Sequence, residues 1–97
     1  MQDPASFGGY DPPSNQTWFV YLLNCADGTY YVGCTSNLNE RLNRHTKGWV
    51  SATKGRIPVE LTLYICFFER HHAFSFEKYL KSGSGRAFTK RHLVRSP

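Results

Sequence analysis

The sequence predicts a small α/β (α+β) domain, a three-stranded antiparallel sheet flanked by helices in the order ββαβα(α). Two segments rich in aromatic and β-branched residues, 18–23 and 29–32, flank a turn at Asp27-Gly28 and predict a β-hairpin. A third segment, 59–68, is almost continuously apolar, which predicts a central strand buried on both faces. Segments with helical spacing follow the second and third strands, and together these observations indicate the fold class.

Length and composition predict one folded domain behind a short leader. The chain has 97 residues, of which 40% are hydrophobic and 15% aromatic, enough for a single core. Residues 1–16 contain three prolines and few aliphatic side chains, and we interpret them as a flexible leader or a cloning remnant. Residues 17–97 form the predicted domain. No apolar run reaches the roughly 18 residues of a membrane span and no signal peptide is evident, which predicts a cytoplasmic protein.

The hairpin turn decides which faces two tyrosines occupy. A two-residue loop at Asp27-Gly28 would put Tyr21 and Tyr31 on opposite faces, because side chains alternate along a strand. A three-residue loop, with a left-handed Gly28 in a G1 bulge, pairs Leu23 with Tyr31 and puts both tyrosines on one face. The register therefore determines whether the two phenols can share a site.

The first predicted helix covers residues 38–45. Asn37 is a suitable cap, Leu38 and Leu42 lie four positions apart on one stripe, and Gly48 ends the helix.

The second predicted helix covers residues 72–81 and docks through an apolar stripe. The side chains of that stripe are Ala73, Phe76 and Leu80. The Ser-Gly-Ser-Gly segment 82–85 is predicted to break this helix, and residues 88–94 are predicted to form a last short basic helix.

Basic residues are confined to the later part of the chain. No Lys or Arg precedes Arg41, and the twelve from there onward are accompanied by three acids, which gives this part a net charge of +9. Such segregation is typical of proteins that bind polyanions. Charge alone leaves two interpretations open, a nucleic-acid interface or a solvated basic tail.

An ordered set of residues runs through these elements. Its members are Tyr21 and Tyr31 in the hairpin motifs Phe-Val-Tyr and Tyr-Val-Gly, Arg41 and His45 on the first helix, and Glu77 on the second. With the Thr-Lys-Gly-Arg segment 53–56 before the third strand, this set resembles the GIY-YIG nuclease superfamily. In particular it resembles the small single-domain bacterial members, of the excinuclease-subunit-C-like type, and the resemblance covers about residues 17–94.

The resemblance implies a metal-dependent endonuclease that hydrolyses DNA phosphodiester bonds with one Mg²⁺ or Mn²⁺ ion. Glu77 matches the metal-ligating carboxylate, and Arg41 matches the arginine that stabilises the phosphorane. Tyr21 and Tyr31 match the paired tyrosines, of which one assists the attacking water and the other binds the phosphate. His45 would take up or relay a tyrosine proton, and nearby cations are expected to lower the pKa of the phenol that acts as a base.

Each of these residues also has a purely structural interpretation. Glu77 could simply pair with Lys81 four residues later, and Arg41 could be an ordinary surface cation. Either tyrosine could serve strand packing alone. On that basis the alternative function is a catalytically inactive DNA- or RNA-binding module with the same fold.

The resemblance and the charge pattern together imply a DNA interface and leave its substrate open. The expected DNA-binding residues are Gly33, Lys54, Arg56, Lys81, Arg86, Lys90 and Arg91. Gly33 would let a helix or a phosphate approach its strand closely. Many family members carry a late asparagine near the metal that is missing here, and the candidates to replace it are Ser82, Ser84 and Thr89. Branched, damaged or single-stranded DNA would suit a nucleoid-associated DNA-repair enzyme, and the oligomeric state is left open.

Overall fold

The computed structural model describes residues 17–95, which form one three-stranded sheet with helices on both faces. The strands are β1 (Trp18–Cys25), β2 (Tyr30–Thr35) and β3 (Val59–Phe67), and the helices are α1 (Leu38–Thr46), α2 (Arg70–Leu80) and α3 (Gly83–Phe88). A 3₁₀ turn (Lys54–Arg56) precedes β3, and a π-helical turn (Thr89–Leu93) follows α3. The predicted fold class and element order are confirmed. The predicted leader, residues 1–16, lies outside the described residues.

The hairpin has the three-residue loop, so the two tyrosines share a face. Leu23 pairs with Tyr31 and Tyr21 with Gly33. Gly28 has a φ of 84°, the left-handed conformation expected at the bulge. The register that the sequence linked to a shared site is therefore the one observed.

The central strand is β1, and the prediction that β3 is central is wrong. The antiparallel sheet order is β2-β1-β3, and Val20 to Leu23 of β1 are all buried. Within residues 17–95, β3 pairs with β1 alone, and Leu61 and Tyr64 on β3 are 36% and 51% exposed. An apolar run signals pairing in a sheet, but it does not reveal which strand has neighbours on both sides. Here β1 has them, and so its side chains are the ones buried on both faces.

One face of the sheet is covered by α2 through the predicted apolar stripe. Ala73 and Leu80 are buried with Val20 of β1, and Phe76 packs against this cluster. None of the helices within residues 17–95 is long and apolar enough to cross a membrane.

The predicted break after the second helix is confirmed, since α2 ends at Leu80, and the Ser-Gly-Ser-Gly segment also starts the next helix. The Ser82 hydroxyl accepts a hydrogen bond from the Gly85 amide at 3.1 Å and caps α3. Gly85 is buried against α2, where a Cβ atom would collide with the Tyr79 carbonyl and the Leu80 backbone. The chain therefore turns sharply after α2, and α3 runs into the π-helical turn in place of one helix over 88–94.

The other face receives α1, whose ends match the prediction. Asn37 caps its start by accepting a hydrogen bond from the Glu40 amide at 3.1 Å. Gly48, with a φ of 75°, lies just beyond its end, and the Gly48 amide donates to the His45 carbonyl at 3.0 Å. This helix brings Arg41 and His45 over the face that carries the tyrosines.

Candidate active site

A buried chain of hydrogen bonds links β1, α1 and the loop that follows α1. The Tyr21 hydroxyl oxygen lies 2.8 Å from His45 Nε2, and His45 Nδ1 lies 2.8 Å from the Thr53 hydroxyl oxygen. All three residues are at most 1% exposed. Because both ring nitrogens of His45 have partners, the imidazole is held in one orientation and in turn fixes the Tyr21 hydroxyl.

Gly33 makes room for the Tyr21 ring. The two residues face each other across β1 and β2, and a Cβ atom at Gly33 would collide with the end of the phenol ring. The close approach expected at Gly33 is therefore made by Tyr21, and not by a helix. This steric role explains the glycine without a phosphate contact, and its predicted DNA contact stays a prediction.

Burial keeps the side chains of Tyr21 and His45 uncharged at neutral pH. Desolvation, with a smaller contribution from Tyr31, raises the pKa of Tyr21 to about 12, although Arg41 acts in the opposite direction. Desolvation also lowers the pKa of His45, and the charges of Arg41 and Arg44 lower it further. At Tyr21 burial outweighs Arg41, and the lowered pKa expected of the phenol that acts as a base stays a prediction.

Arg41 brings a cation with an unpaired donor into the site. It lies one helical turn before His45, is partly buried, and is close enough to Tyr21 to act against the rise in the pKa of its phenol. Its Nε atom is buried and has no hydrogen-bond partner among the described residues. A buried guanidinium nitrogen without an acceptor is costly, and a phosphate oxygen is a suitable acceptor for it.

Tyr31, Lys81 and Glu77 complete the cluster. The Tyr31 ring lies 5.2 Å from the His45 ring and 6.3 Å from the Tyr21 ring, between centroids. Lys81 Nζ lies 5.9 Å from the Tyr31 centroid and 3.1 Å from Glu77 Oε2. The Glu77 side chain is 18% exposed, and its charge contributes to raising the pKa of Tyr21. The structure thus brings together all five expected catalytic residues, and Glu77 also makes the ion pair with Lys81.

The donor set suits a lightly coordinated divalent ion. Among residues 17–95, no group of three or more His, Cys, Asp or Glu side chains is arranged to hold a metal. Magnesium is commonly held by one or two carboxylates, with water and substrate phosphate as the other ligands. Glu77, partly buried beside the tyrosines, fits that mode of binding and is the residue that would hold the ion.

Only some of the expected DNA-binding cations line the same groove. Lys81, Arg86 and Lys90 line a groove beside Tyr31, whereas Arg91 is exposed and is not part of the groove lining. Lys54 is exposed on the 3₁₀ turn.

Arg56 is engaged in structural hydrogen bonds. Its guanidinium donates to the Ala52 carbonyl at 2.9 Å and to the Thr29 hydroxyl at 2.7 Å, which ties the loop before β3 to the hairpin turn. The predicted contact of Arg56 with DNA would have to be made beside these bonds.

Sequence reasoning missed the role of Thr53, which it treated only as part of the motif. A threonine in the loop eight residues after a motif histidine is the signal that was present. Of the candidates to replace the family asparagine, Ser82 is committed to α3, since its hydroxyl also donates to the Tyr79 carbonyl at 2.6 Å. The Thr89 hydroxyl is buried and has no partner among the described residues.

Comparison with known proteins gives consistent matches. The GIY-YIG catalytic domain matches residues 17–91. A UPF0213 protein of Nitratidesulfovibrio vulgaris is 42% identical over 69 residues, which cover 70% of this chain and 63%, less than two thirds, of that relative. The "UPF0213 protein in ldhD 5'region" of Pediococcus acidilactici is 38% identical over 77 residues, covering 76% of this chain and 79% of the relative. The solution NMR structure of a UPF0213 protein from Bacillus halodurans is 32% identical, with coverages of 74% and 78% and a TM-score of 0.49.

Proposed function

The chain belongs to the GIY-YIG catalytic-domain family, an endonuclease-type family, and we propose that it hydrolyses DNA phosphodiester bonds with one bound Mg²⁺ or Mn²⁺ ion. The observation that carries the proposal is the unpaired Nε of Arg41, buried beside Tyr21 in the cluster that also contains Tyr31, His45 and Glu77. A buried cation with a free donor, next to two phenols and a carboxylate, suits a phosphate group at which negative charge develops.

The two tyrosines have different roles in this proposal. The hydroxyl of Tyr21 is bonded to His45, and with a pKa of about 12 it keeps its proton at neutral pH. Tyr21 therefore acts as a hydrogen-bonding group that holds Arg41 and the phosphate in place. Tyr31 is only partly buried, so it is the phenol that orients and assists the attacking water.

His45 acts through Tyr21. Its ring is buried and its pKa is lowered, so it is a neutral hydrogen-bonding partner at neutral pH rather than a charge that stabilises the phosphate. Thr53 fixes its orientation. Any relay of a proton then involves the hydrogen-bonded chain of Tyr21, His45 and Thr53 as a whole.

Arg41 and Glu77 both help to stabilise the negative charge of the phosphate in this proposal. The Arg41 guanidinium donates to phosphate oxygens, and these hydrogen bonds strengthen as the phosphorane accumulates charge in a partly buried site. Glu77 would hold the divalent ion, which when bound supplies Lewis-acid stabilisation of the phosphate and of the leaving oxygen. Lys81, paired with Glu77 and above Tyr31, provides a second cation near the same phosphate.

Such an enzyme would act at the nucleoid in the cytoplasm, and DNA repair is the process that we propose for it. Its substrate would be DNA with branched, damaged or single-stranded regions.

The test is a panel of end-labelled DNA structures incubated with Mg²⁺, Mn²⁺ or EDTA. We expect cleavage of at least one structure with a divalent ion and none in EDTA. Glu77→Gln should abolish cleavage and retain DNA binding, whereas Glu60→Gln, which removes an exposed carboxylate on β3, should cleave normally. Salt-dependent binding without any metal-dependent cleavage would contradict the proposal and favour the inactive binding module.

A further inference from the structure

A groove of about 1070 Å³ lies beside the candidate active site. One of its walls is the β1–β2 hairpin, and the other follows the chain from Leu80 through α3 to Arg95. Lys81 lines the groove, and its Nζ lies 3.1 Å from Glu77 Oε2 and 5.9 Å from the centroid of the Tyr31 ring. The groove and the candidate active site therefore adjoin at Lys81.

The rim of the groove is basic. Four cations line it and no Asp or Glu belongs to its described lining; the cations are Lys81, Arg86, Lys90 and Arg95. Lys81 is paired with Glu77, while the salt bridges within residues 17–95 do not involve the other three. Three exposed cations that have no carboxylate partner among the described residues complement a chain of phosphates rather than a neutral partner.

The interior of the groove is apolar and contains an aromatic ring. Val32 and Val94, which are partly exposed, contribute aliphatic surface above the buried Leu22 and Leu80, and the wall includes Tyr30, which is 40% exposed. Exposed aromatic rings in basic grooves are the usual stacking platforms for unpaired bases.

Thr89 adds a polar atom to this lining. The residue is 7% exposed, and its hydroxyl is buried without a hydrogen-bond partner among the described residues. A nucleobase carries both donors and acceptors at its edge, so it can pair with a hydroxyl that the protein leaves unpaired.

We infer that this groove binds one or two unstacked nucleotides of the DNA strand whose scissile phosphate lies at the active site. The bases lie on Tyr30 and the aliphatic interior, and the phosphates lie on Arg86, Lys90 and Arg95. The inference rests on the proposed endonuclease function, which supplies the substrate. It adds the path of the strand along the protein and the parts of each nucleotide that the groove contacts. Substrates with bases that are free to unstack are then favoured, because a paired base must first leave its stack.

The test measures binding of the full chain by fluorescence anisotropy in EDTA, so that cleavage does not contribute. The probe is a labelled oligothymidylate, and the comparison strand has the same phosphates with abasic spacers in place of nucleosides. Ala87→Trp fills the groove from an exposed position on α3 without changing charge. We expect it to weaken oligothymidylate binding about tenfold and to leave abasic-strand binding nearly unchanged.

The tryptophan variant has a matched control, and so does a second variant that tests the charge of the groove. Ser75→Trp adds the same side chain at an exposed position of α2 outside the groove lining, and should bind as the unmodified protein does. Arg86→Gln combined with Arg95→Gln should reduce the dependence of log K on log salt by about 0.7 for each phosphate that is no longer neutralised. Lys47→Gln combined with Lys78→Gln removes as much charge elsewhere and should leave that slope unchanged.

Equal affinity for the two strands, or equal binding by Ala87→Trp and Ser75→Trp, would overturn the inference. A failure of this inference can be distinguished from a failure of the proposed endonuclease function. Groove-dependent binding in a protein that never cleaves DNA would refute the endonuclease proposal alone, and metal-dependent cleavage without any effect of Ala87→Trp would refute the groove alone.

Discussion

Replacing Thr53 with Val tests whether the buried chain positions the active site. The threonine hydroxyl oxygen lies 2.8 Å from His45 Nδ1, and both residues are fully buried. Val has nearly the shape of Thr but carries no hydroxyl, so the substitution removes one hydrogen bond and leaves a buried imidazole nitrogen without a partner.

The size of the effect follows from that unpaired nitrogen. Leaving a buried polar group unsatisfied costs about 1–3 kcal/mol of unfolding free energy. In a domain of this length each kcal/mol corresponds to about 4–8 °C in Tm, so Thr53→Val should melt at least about 4 °C lower. The His45 ring also becomes free to turn, which moves the Tyr21 hydroxyl, and a misplaced group of this kind costs about 100-fold in kcat.

The assays are thermal unfolding followed by circular dichroism and single-turnover cleavage of the best substrate in the panel. Thr53→Ser keeps the hydroxyl and should restore most of kcat, which separates positioning from general destabilisation. Thr62→Val makes the same change at an exposed position on β3 and should shift the unfolding free energy by less than about 0.5 kcal/mol. If Thr53→Val matches Thr62→Val in Tm and cleaves at the normal rate, the hydrogen-bonded chain does not support the site.

Three further predictions concern the residues around Tyr21. Gly33→Ala should displace the Tyr21 ring and destabilise the fold by about 1–3 kcal/mol in urea unfolding, whereas Gly55→Ala, which has open space around it, should not. Gly28→Val should cost about 1–2 kcal/mol, because a β-branched residue is strained at a φ of 84°; unchanged stability would mean that the turn can relax. The pKa of Tyr21 rises from 10.0 in the unfolded chain to about 12 in the folded protein. The Tyr21 hydroxyl therefore contributes fully to the free energy of unfolding below pH 10, and this contribution is lost as the pH rises toward 12. Tyr21→Phe should remove up to about 3 kcal/mol of this alkaline loss, measured as unfolding free energy against pH; an equally steep loss in the variant would contradict the assigned pKa.

The sequence predicts the hairpin and the faces on which the candidate site residues lie because local rules govern both, and the catalytic roles of those residues stay predictions. A left-handed glycine fixes the loop at Gly28, and that loop fixes the faces of Tyr21 and Tyr31. The i, i+4 spacing of Arg41 and His45 then places both on the helix face that meets those tyrosines. Each step depends only on neighbours along the chain.

The features that the sequence did not predict depend on contacts between distant parts of the chain. The edge position of β3 depends on which strands pair with β1, and the composition of β3 carries no trace of that choice. Gly85 resembles a helix breaker, yet its missing side chain is what lets α3 start directly against the Tyr79 carbonyl of α2. Burial of Tyr21 likewise raises its pKa in spite of Arg41, and the sequence does not show that burial.

The most direct test of the account is metal-dependent cleavage by Tyr31→Phe. The substitution keeps the ring that packs on His45 and removes the hydroxyl proposed to assist the attacking water. We predict that Tm and DNA affinity stay unchanged while the single-turnover rate falls by about 10²–10⁴. Tyr64→Phe makes the same change at an exposed position of β3 and should cleave at the normal rate. Cleavage by Tyr31→Phe at the rate of Tyr64→Phe would contradict the assignment of this cluster as the catalytic site.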